Sequence, residues 1–192
     1  AKQVIIATGS VERPLVFSNN DRPGIMLASA VSDYVNCYSV IPGSRSVVFT
    51  NNDSAYQTAF DLVQAGVGVE IVDPRSPGEM SAQAVESGIK VFNNYVVVDT
   101  KGKKRIEGVC IDALTSDGSN VANRPTTLYC DLLAMSGGWN PSVQLHAQSR
   151  GRPLYNEKMA CFVPGESVQA ERSVGACNGA FLLDDCLLEG TQ

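Results

Sequence analysis

The side chains that could carry out chemistry do not stand in any familiar catalytic pattern. His146 is the single histidine, and its neighbours Leu145 and Ala147 indicate an amphipathic helix with no evident acidic partner. Asp184 and Asp185 are adjacent, so on a helix they point about 100° apart and cannot share one site. No serine stands in a G-x-S-x-G elbow. We therefore predict no catalytic residue in this chain and a structural role for the histidine.

The cysteines have neither metal-site nor disulfide spacing. Six are present: Cys37, Cys110, Cys130, Cys161, Cys177 and Cys186. They include no C-x-x-C pair. Several lie in apolar stretches such as residues 108–111, where a cysteine behaves as a small buried hydrophobe. The pattern predicts reduced structural thiols, no metal site and a cytoplasmic location.

The bulk composition is that of an ordinary globular protein. The 192 residues are 44% hydrophobic and 18% charged, with a formal net charge of −5. No apolar run approaches the roughly 18 residues that a membrane span needs. The basic run Lys101–Arg105 falls at an expected hairpin turn, so we interpret it as a solvated turn rather than a polyanion site. We expect neither a membrane nor a nucleic acid partner.

Residues 47–73 are typical of the strand–helix–strand unit that binds dinucleotides. An apolar strand at 47–49 leads into a polar turn, and Gly66 ends the helix that follows. The inward face of that helix is predicted to carry Ala55, Ala59, Leu62 and Val63. A second strand, 69–72, ends in Asp73, the position from which an acidic residue contacts the ribose in such sites.

The turn of this unit lacks the glycines that a phosphate cradle requires. Thr50-Asn51-Asn52 stands where glycines make the tight turn and let a pyrophosphate approach the backbone. The helix N-terminus still offers free N–H groups, and Asp53 or Ser54 can cap it. We predict that the domain is retained as a scaffold and that Asp73 is a strand-end turn residue.

The remaining pattern predicts an α/β fold in which a mostly parallel sheet is followed by a β-meander. A helix is expected from about Leu27 to Tyr38, with an inward face formed by Ala30, Val31, Tyr34 and Val35. A short helix at 79–86 and a strand at 89–92 continue the alternation. Three strand-like runs without helices then follow, at 95–100, 105–114 and 126–130.

Two outer pieces flank this inner block. The strand Val4–Ala7 runs directly into Thr8-Gly9, so close to the first residue that we infer a piece of a longer polypeptide. Residues 131–138 repeat the pattern of an apolar strand followed by small residues, and a helix is expected at 181–188. The predicted organisation is an exit strand in 1–19, an inserted Rossmann-like NAD(P)H-type domain in 20–130, and a return segment in 131–192.

This arrangement resembles the flavoproteins of the glutathione reductase type, which have two dinucleotide-binding domains. In that family an NAD(P)H-type domain interrupts the first nucleotide domain, with an A-T-G motif at the exit and a D-x6-G-x-x-P-N-like strand at the return. "VIIATGS" (4–10) is similar to the first motif, and "DLLAMSGGWNPS" (131–142) is similar to the second with Asn140-Pro141 transposed. Gly175-Ala176 replaces the family's usual Gly-Asp. The flanking pieces would then be incomplete parts of a FAD/NAD-binding-type domain.

Within that family the sequence resembles the α subunits of heterotetrameric sarcosine oxidases. The similar stretches are "RPGIMLASAVSDYVN" (22–36), "NNDSAYQTAFDLVQAG" (51–66), "LLAMSGGWNP" (132–141) and "RSVGACNG" (172–179). The resemblance implies a middle segment of a longer subunit in a complex with β, γ and δ subunits. It implies a parent complex that oxidises the secondary amine sarcosine with FAD and FMN and passes the formaldehyde carbon to tetrahydrofolate.

The same resemblance implies a site for NAD in the first nucleotide domain. The residues that would contact this NAD are Thr8, Gly9, Ser10, Gly137, Gly138, Gly175 and Ala176. Small residues are needed where the backbone meets a ligand, although these glycines could instead pack strand against helix. This segment would then hold NAD and take part in subunit assembly, and it would not carry out catalysis.

Other functions remain open on the same fold. The chain could come from an α subunit of opine oxidase or of a dye-linked proline dehydrogenase. An NAD(P)H-dependent flavin reductase is disfavoured by Thr50-Asn51-Asn52 and by the absent C-x-x-C, and a non-catalytic assembly domain is a further alternative. We also expect self-association or poor order in the pieces 1–15 and 136–192, because apolar strand edges invite association.

Overall fold

A computed structural model describes residues 2–191 and divides them into two compact units. The inner unit is Arg13–Gly138, and the outer unit comprises the residues up to Glu12 together with those from Trp139 onward. The chain therefore enters the inner unit after Glu12 and leaves it at Gly138.

The inner unit contains eight strands and three helices. Its strands are β3 (Ile25–Leu27), β4 (Arg45–Thr50), β5 (Gly68–Asp73), β6 (Lys90–Asn93), β7 (Tyr95–Lys101), β8 (Gly108–Ala113), β9 (Thr126–Leu128) and β10 (Leu132–Ser136). Its helices are α1 (Ala28–Asn36), α2 (Ser54–Gln64) and α3 (Glu79–Glu86).

The outer unit contributes short elements from both ends of the chain. Its strands are β1 (Val4–Ile6), β2 (Ser10–Glu12), β11 (Trp139–Pro141), β12 (Leu154–Asn156), β13 (Cys161–Val163) and β14 (Glu171–Ser173). It also has the helices α4 (Gln144–Gln148) and α5 (Leu183–Gly190) and a 3₁₀ turn at Gly175–Asn178.

The inner sheet is parallel, and its strands lie in the order β3-β10-β4-β5-β6. Its central strands are apolar and buried on both faces, as the strands of a covered parallel sheet are. One face carries a core in which Val48 and Ile71 meet Leu62 of α2. The other carries a core in which Val47 and Val72 join residues of the antiparallel meander β7-β8-β9. The predicted α/β class with a parallel sheet and a β-meander is confirmed.

The return boundary lies later than expected. We placed the inserted domain at 20–130, but β10 pairs with both β3 and β4 and so belongs to the inner sheet. A parallel strand pairs with partners that are distant in sequence, so its local pattern could not show which sheet it joins.

Of the eight positions predicted to face inward, four are buried, Val35 is partly buried against the core, Ala30 is only partly buried, and two are exposed. Tyr34 is 43% exposed and Val63 is 39% exposed. On α1 the buried face follows Ala28, Val31 and the partly buried Val35, and Tyr34 falls about one residue's rotation off that face. The positions that agree are Val31, Ala55, Ala59 and Leu62, all buried.

The outer unit has little core of its own. β1 and β14 form a two-stranded parallel sheet, and β2-β11 and β12-β13 are antiparallel pairs. Ile5 is 68% exposed, and Leu183 and Leu187 on α5 are 74% and 62% exposed. Parallel sheets are normally covered on both faces, and an isolated strand pair is marginally stable. This unit therefore presents apolar surface that a neighbouring layer would cover.

The helices among residues 2–191 are too short or too polar to cross a lipid bilayer.

Candidate functional site

The turn between β4 and α2 is closed by its own side chains. The hydroxyl of Thr50 accepts a hydrogen bond from the backbone N–H of Asn52 at 3.1 Å and donates to the Asn52 carbonyl at 2.9 Å. The side-chain amide of Asn52 donates to the carbonyl and the hydroxyl of Ser136 at 3.2 and 3.1 Å. Ser54 Oγ donates to Asn52 Oδ1 at 2.6 Å. The polar side chains of Thr50, Asn52 and Ser54 in this turn are therefore bonded to one another and to Ser136.

The expected cap of α2 is wrong. Asp53 has helical backbone angles (φ −78°, ψ −25°), whereas a side-chain cap requires an extended residue, and no side-chain cap bond forms. The Asp53 carboxylate instead pairs with Arg75 Nη2 at 2.8 Å. Ser54 is the first residue of the helix rather than its cap.

Asp73 ends β5, as predicted, and its carboxylate is fully engaged. The side chain is 2% exposed, and Tyr56 Oη donates to its Oδ2 at 2.8 Å. The backbone N–H of Arg75 donates to Oδ1 at 2.8 Å, and the guanidinium donates to Oδ1 and Oδ2 at 3.1 and 2.8 Å. A ribose hydroxyl would have to displace these donors to reach the carboxylate.

Hydrogen bonds to Asp73 help to fix the protonation states of Tyr56 and Arg75. Burial, followed by the hydrogen bond to Asp73 and its charge, raises the pKa of Tyr56 well above its ordinary value. The hydrogen bond to Asp73 is the main cause that raises the pKa of Arg75, despite an opposing effect of burial. The phenol therefore stays a donor and the guanidinium stays charged, so the internal partners hold Asp73 against an incoming hydroxyl.

In the outer unit, the first three predicted contacts lie around one turn. Thr8 Oγ1 donates to the carbonyl of Ser142 at 2.9 Å, and the Ser142 N–H donates to the carbonyl of Gly9 at 2.9 Å. Gly9 has φ +72°, and a Cβ added there would meet no atom within 4 Å. Ser10 is the first residue of β2. The backbone at Gly9 is thus accessible to a ligand and adopts a conformation that favours glycine.

Gly175 and Ala176 lie at the start of the 3₁₀ turn. Gly175 has φ +73° with open space beside it apart from Cys186 Sγ at 3.8 Å, and Ala176 is half-buried. The N–H of Gly175 donates to Glu189 Oε2 at 2.6 Å, while Asn178 Nδ2 donates to Glu189 Oε1 at 2.9 Å. A carboxylate therefore holds the N–H group that would face a dinucleotide.

Gly137 and Gly138 belong to the inner unit and lie against the chain at Arg13. The Gly137 N–H donates to the Arg13 carbonyl at 2.7 Å, and the Arg13 N–H donates to the Gly138 carbonyl at 2.8 Å. A Cβ on Gly137 would meet the carbonyl oxygens of Arg13 and Pro14 at 3.1 Å. Close backbone packing accounts for glycine at 137, whereas Gly138 has φ +89° and a Cβ there would meet the Arg13 guanidinium at 2.9 Å.

A buried pair between His146 and Glu171 was missed by the sequence analysis. His146 Nδ1 lies 3.0 Å from Glu171 Oε1, with side chains 1% and 4% exposed, so the prediction of no acidic partner was wrong. Burial alone would raise the pKa of Glu171, but hydrogen bonds from Ser167, His146 and Ser149 hold it below its ordinary value. A Cβ on Gly151 would come within 2.2 Å of the imidazole, so only glycine fits there.

The other candidate groups form no reactive cluster in the part of the chain that the structure describes. No three side chains among His, Cys, Asp and Glu of residues 2–191 are placed to hold a metal ion. All six cysteines are free thiols, three of them buried, and burial raises the pKa of Cys130 to about 12.

Comparisons with known proteins identify relatives along nearly the whole chain. No protein-family model matches it. It is 42% identical over 184 residues to a sarcosine oxidase subunit alpha of Corynebacterium sp. (strain P-1), covering 94% of this chain and 19% of that protein. It is 35% identical over 191 residues to the same-named protein of Rhizobium meliloti (strain 1021), covering 99% and 18%. The chain thus spans about a fifth of the length of these relatives.

Solved structures match the fold at lower identity. The thioredoxin reductase of T. acidophilum superposes with a TM-score of 0.75 at 18% identity, covering 99% of this chain and 62% of that one. The thioredoxin reductase of Lactococcus lactis gives 0.71 at 17% identity, covering 99% and 63%. These likenesses show the fold alone.

Proposed function

Because the chain belongs to the sarcosine oxidase α-subunit family, we propose that it is a scaffold and cofactor-holding segment of a flavin-dependent amine oxidoreductase. The parent complex oxidatively demethylates sarcosine to glycine with O₂, releases H₂O₂ and passes the formaldehyde carbon to tetrahydrofolate in the cytoplasm. FAD and FMN supply the redox chemistry in other parts of that complex. This segment contributes no reacting group.

NAD is held by the nucleotide domain to which the outer unit contributes. Gly9 supports this assignment, since its accessible backbone and positive φ suit close approach of a dinucleotide. Thr8 and Ser10 flank Gly9. Gly175 and Ala176 form another part of the wall of the NAD site. Gly137 and Gly138 contribute to the NAD site indirectly, because they let the chain pass close to Arg13. Glu189 has to release the Gly175 N–H before a pyrophosphate can use that group.

The closed turn of the inner unit is the observation that carries the scaffold role. Asn52 and Arg75 occupy the groups with which a second nucleotide would bond. An NAD(P)H-dependent flavin reductase needs the site at the β4–α2 turn to be open. We therefore propose that NAD(P)H is not oxidised or reduced at this turn.

The second role is assembly with the β, γ and δ subunits and with the rest of the α subunit. Its support is the exposed apolar surface of the outer unit, on β1 and α5. A purely structural assembly domain is the competing function, and the bond from Gly175 N–H to Glu189 favours it because that bond blocks one dinucleotide contact.

The test measures bound NAD in the purified complex that contains the complete α subunit. Gly9→Val should lower NAD content, since a β-branched residue at φ +72° strains the turn and fills the ligand side. We expect about tenfold weaker NAD retention with unchanged flavin content. Gly118→Val is the matched control, because Gly118 also has positive φ and open space but lies in the inner unit. Equal NAD content in both variants would favour the purely structural role.

A further inference from the structure

An open pocket lies along the outer side of α1 in the inner unit. It has a volume of about 320 Å³, and its lining includes Ala30, Asp33, Tyr34 and Tyr38. The first three of these residues are three and four positions apart, so they share one side of the helix, and Tyr38 follows just beyond the helix end. The volume lies at the lower end of the range of ligand pockets, which suits a single long side chain.

Two tyrosine rings form walls of this pocket. The ring centroids of Tyr34 and Tyr38 are 6.1 Å apart, and the ring planes meet at 52°. The chain folds back after α1, since the N–H of Val40 donates to the carbonyl of Tyr34 at 2.8 Å. Tyr38, Val40 and Ile41 are 70%, 46% and 52% exposed, so apolar surface continues beyond the rings. Exposed aromatic rings beside such surface are typical of sites where another protein binds.

The carboxylate of Asp33 lines the pocket and has no cationic partner. It forms no ion pair in the part of the chain that the structure describes. Asp33 lies in the last turn of α1, where the helix dipole places partial negative charge, and that turn contains no basic residue. The carboxylate and the helix end therefore both favour a cation at this position.

The elements around α1 supply no positive charge. The helix packs against β3, α2 and β10, and neither these elements nor residues 37–44 contain a lysine, an arginine or a histidine. α2 adds a second carboxylate, that of Asp61. Its donors are the neutral side chains of Ser32, Asn36 and Gln57. α1 and its neighbours thus carry two carboxylates and no cation, a charge distribution that suits a positively charged ligand.

We propose that this pocket binds an arginine side chain of another polypeptide chain, in a segment where apolar residues flank that arginine. The guanidinium group bonds the Asp33 carboxylate and lies over the rings of Tyr34 and Tyr38, while the apolar neighbours contact Val40 and Ile41. Arginine is favoured over lysine because its planar group stacks on aromatic rings. The proposal rests on the assembly role given above and names the chemistry of a partner for the inner unit.

The test is an NMR titration of the full chain with the blocked tripeptide acetyl-Leu-Arg-Leu-amide. We expect saturable amide shifts at residues 30–41, with a dissociation constant of about 1 mM or below. Asp33→Asn should weaken binding about threefold to fivefold, as the loss of an exposed ion pair does. Tyr38→Leu should weaken it about twofold to fivefold, because leucine keeps apolar bulk but removes the aromatic face. Both positions are exposed, so both variants should keep the fold.

Two controls separate this site from general charge attraction. Glu86→Gln is the matched variant, because Glu86 is an exposed acidic residue at the end of α3, a helix that contains no tyrosine. It should leave the affinity unchanged. In the control peptide, citrulline replaces arginine and keeps its shape without its charge. This peptide should bind at least about threefold more weakly.

The proposal is overturned if the citrulline peptide binds equally, if the shifts lie away from α1, or if nothing binds. Equal affinity for acetyl-arginine-amide would also overturn it, since the site would then take a small cation rather than a peptide segment. The same shifts on concentrating the chain without peptide would identify a second copy as the occupant and would contradict the proposal. The titration uses no nucleotide and no other subunit, so its outcome is independent of the NAD measurement.

Discussion

At the scale of single residues, the acidic residue at the end of β5 lies in an internal network of hydrogen bonds. Asp73 was predictable as a strand-end acidic residue because strand periodicity and turn spacing are local signals. The hydrogen bonds of Tyr56 and Arg75 to Asp73 were not predictable. No local sequence pattern indicates that a tyrosine on a helix and an arginine in the following turn share one acceptor. The pair His146–Glu171 was hidden for a stronger reason, since its members are 25 residues apart and meet only when β14 forms.

Replacing Arg75 with methionine should destabilise the inner unit, because it leaves the buried Asp73 carboxylate with fewer donors. We expect a loss of about 2 kcal/mol in the free energy of unfolding, measured by urea denaturation. Lys90→Met is the control, since the pair of Lys90 with Glu70 is long at 3.7 Å and exposed, and its loss should cost about 0.5 kcal/mol or less. Equal losses would show that the Asp73 network is not a stabilising element.

Glu171 should make stability depend on pH in the acid range. Its pKa in the folded state lies below the ordinary value of 4.5, so the folded state binds fewer protons there than the unfolded chain. The stabilisation is therefore complete above 4.5 and is lost as pH falls through the folded pKa. Denaturation curves of Glu171→Gln should lose this part of the acid dependence, whereas Glu166→Gln, at an exposed position, should keep it.

At the scale of elements, the strongly periodic segments were predictable and the pairing of isolated strands was not. The helix at 79–86 has the predicted bounds, and the meander strands lie where alternating runs predicted them. The short strands β12 and β13 gave no signal, because three residues are too few to show a period. The membership of β10 depended on parallel pairing at long range, which the hydrophobic pattern does not encode.

The β4–α2 turn should bind neither NAD nor NADPH. Calorimetric titration of the chain should give no heat, and a micromolar dissociation constant, about −8 kcal/mol, that Gly9→Val leaves unchanged would contradict the closed turn. Glycine at positions 50, 51 and 52 should permit weak binding at the N-terminus of α2, since it removes the bonds of Asn52 to Ser136. The affinity should stay near millimolar, because Arg75 still holds Asp73.

At the scale of the whole molecule, the two units differ in how much core they contain. The buried clusters of the inner unit cover both faces of its sheet, whereas α5 in the outer unit has no buried residue. The sequence indicated an apolar strand at 4–7 and a helix at 181–188 in the outer pieces. It could not show which apolar residues of the terminal helix remain exposed, because its amphipathic pattern is the same whether or not a neighbour covers it.

The isolated chain should self-associate through the outer unit. Light scattering should show a mass that rises with concentration, because the apolar side chains of α5 are exposed. Leu183→Glu with Leu187→Glu should reduce the association. Val85→Glu on α3, where the valine is 58% exposed, should not reduce it. A monomer at all concentrations would contradict the expectation.

Strands β2 and β11 pair where the chain enters and leaves the inner unit, so residues 13–138 could be deleted without breaking that pair. Glu12 faces Trp139 in the antiparallel register of β2 and β11, so deleting 13–138 leaves two chain ends that a tight Asn-Gly turn can join into a hairpin. In the excised piece, Arg13 and Gly138 are hydrogen-bonded neighbours, so its own termini can be fused and new ones opened at a surface turn such as 117–119. An ancestral gene could have gained or lost the whole inner unit by one recombination event without breaking a strand of either part.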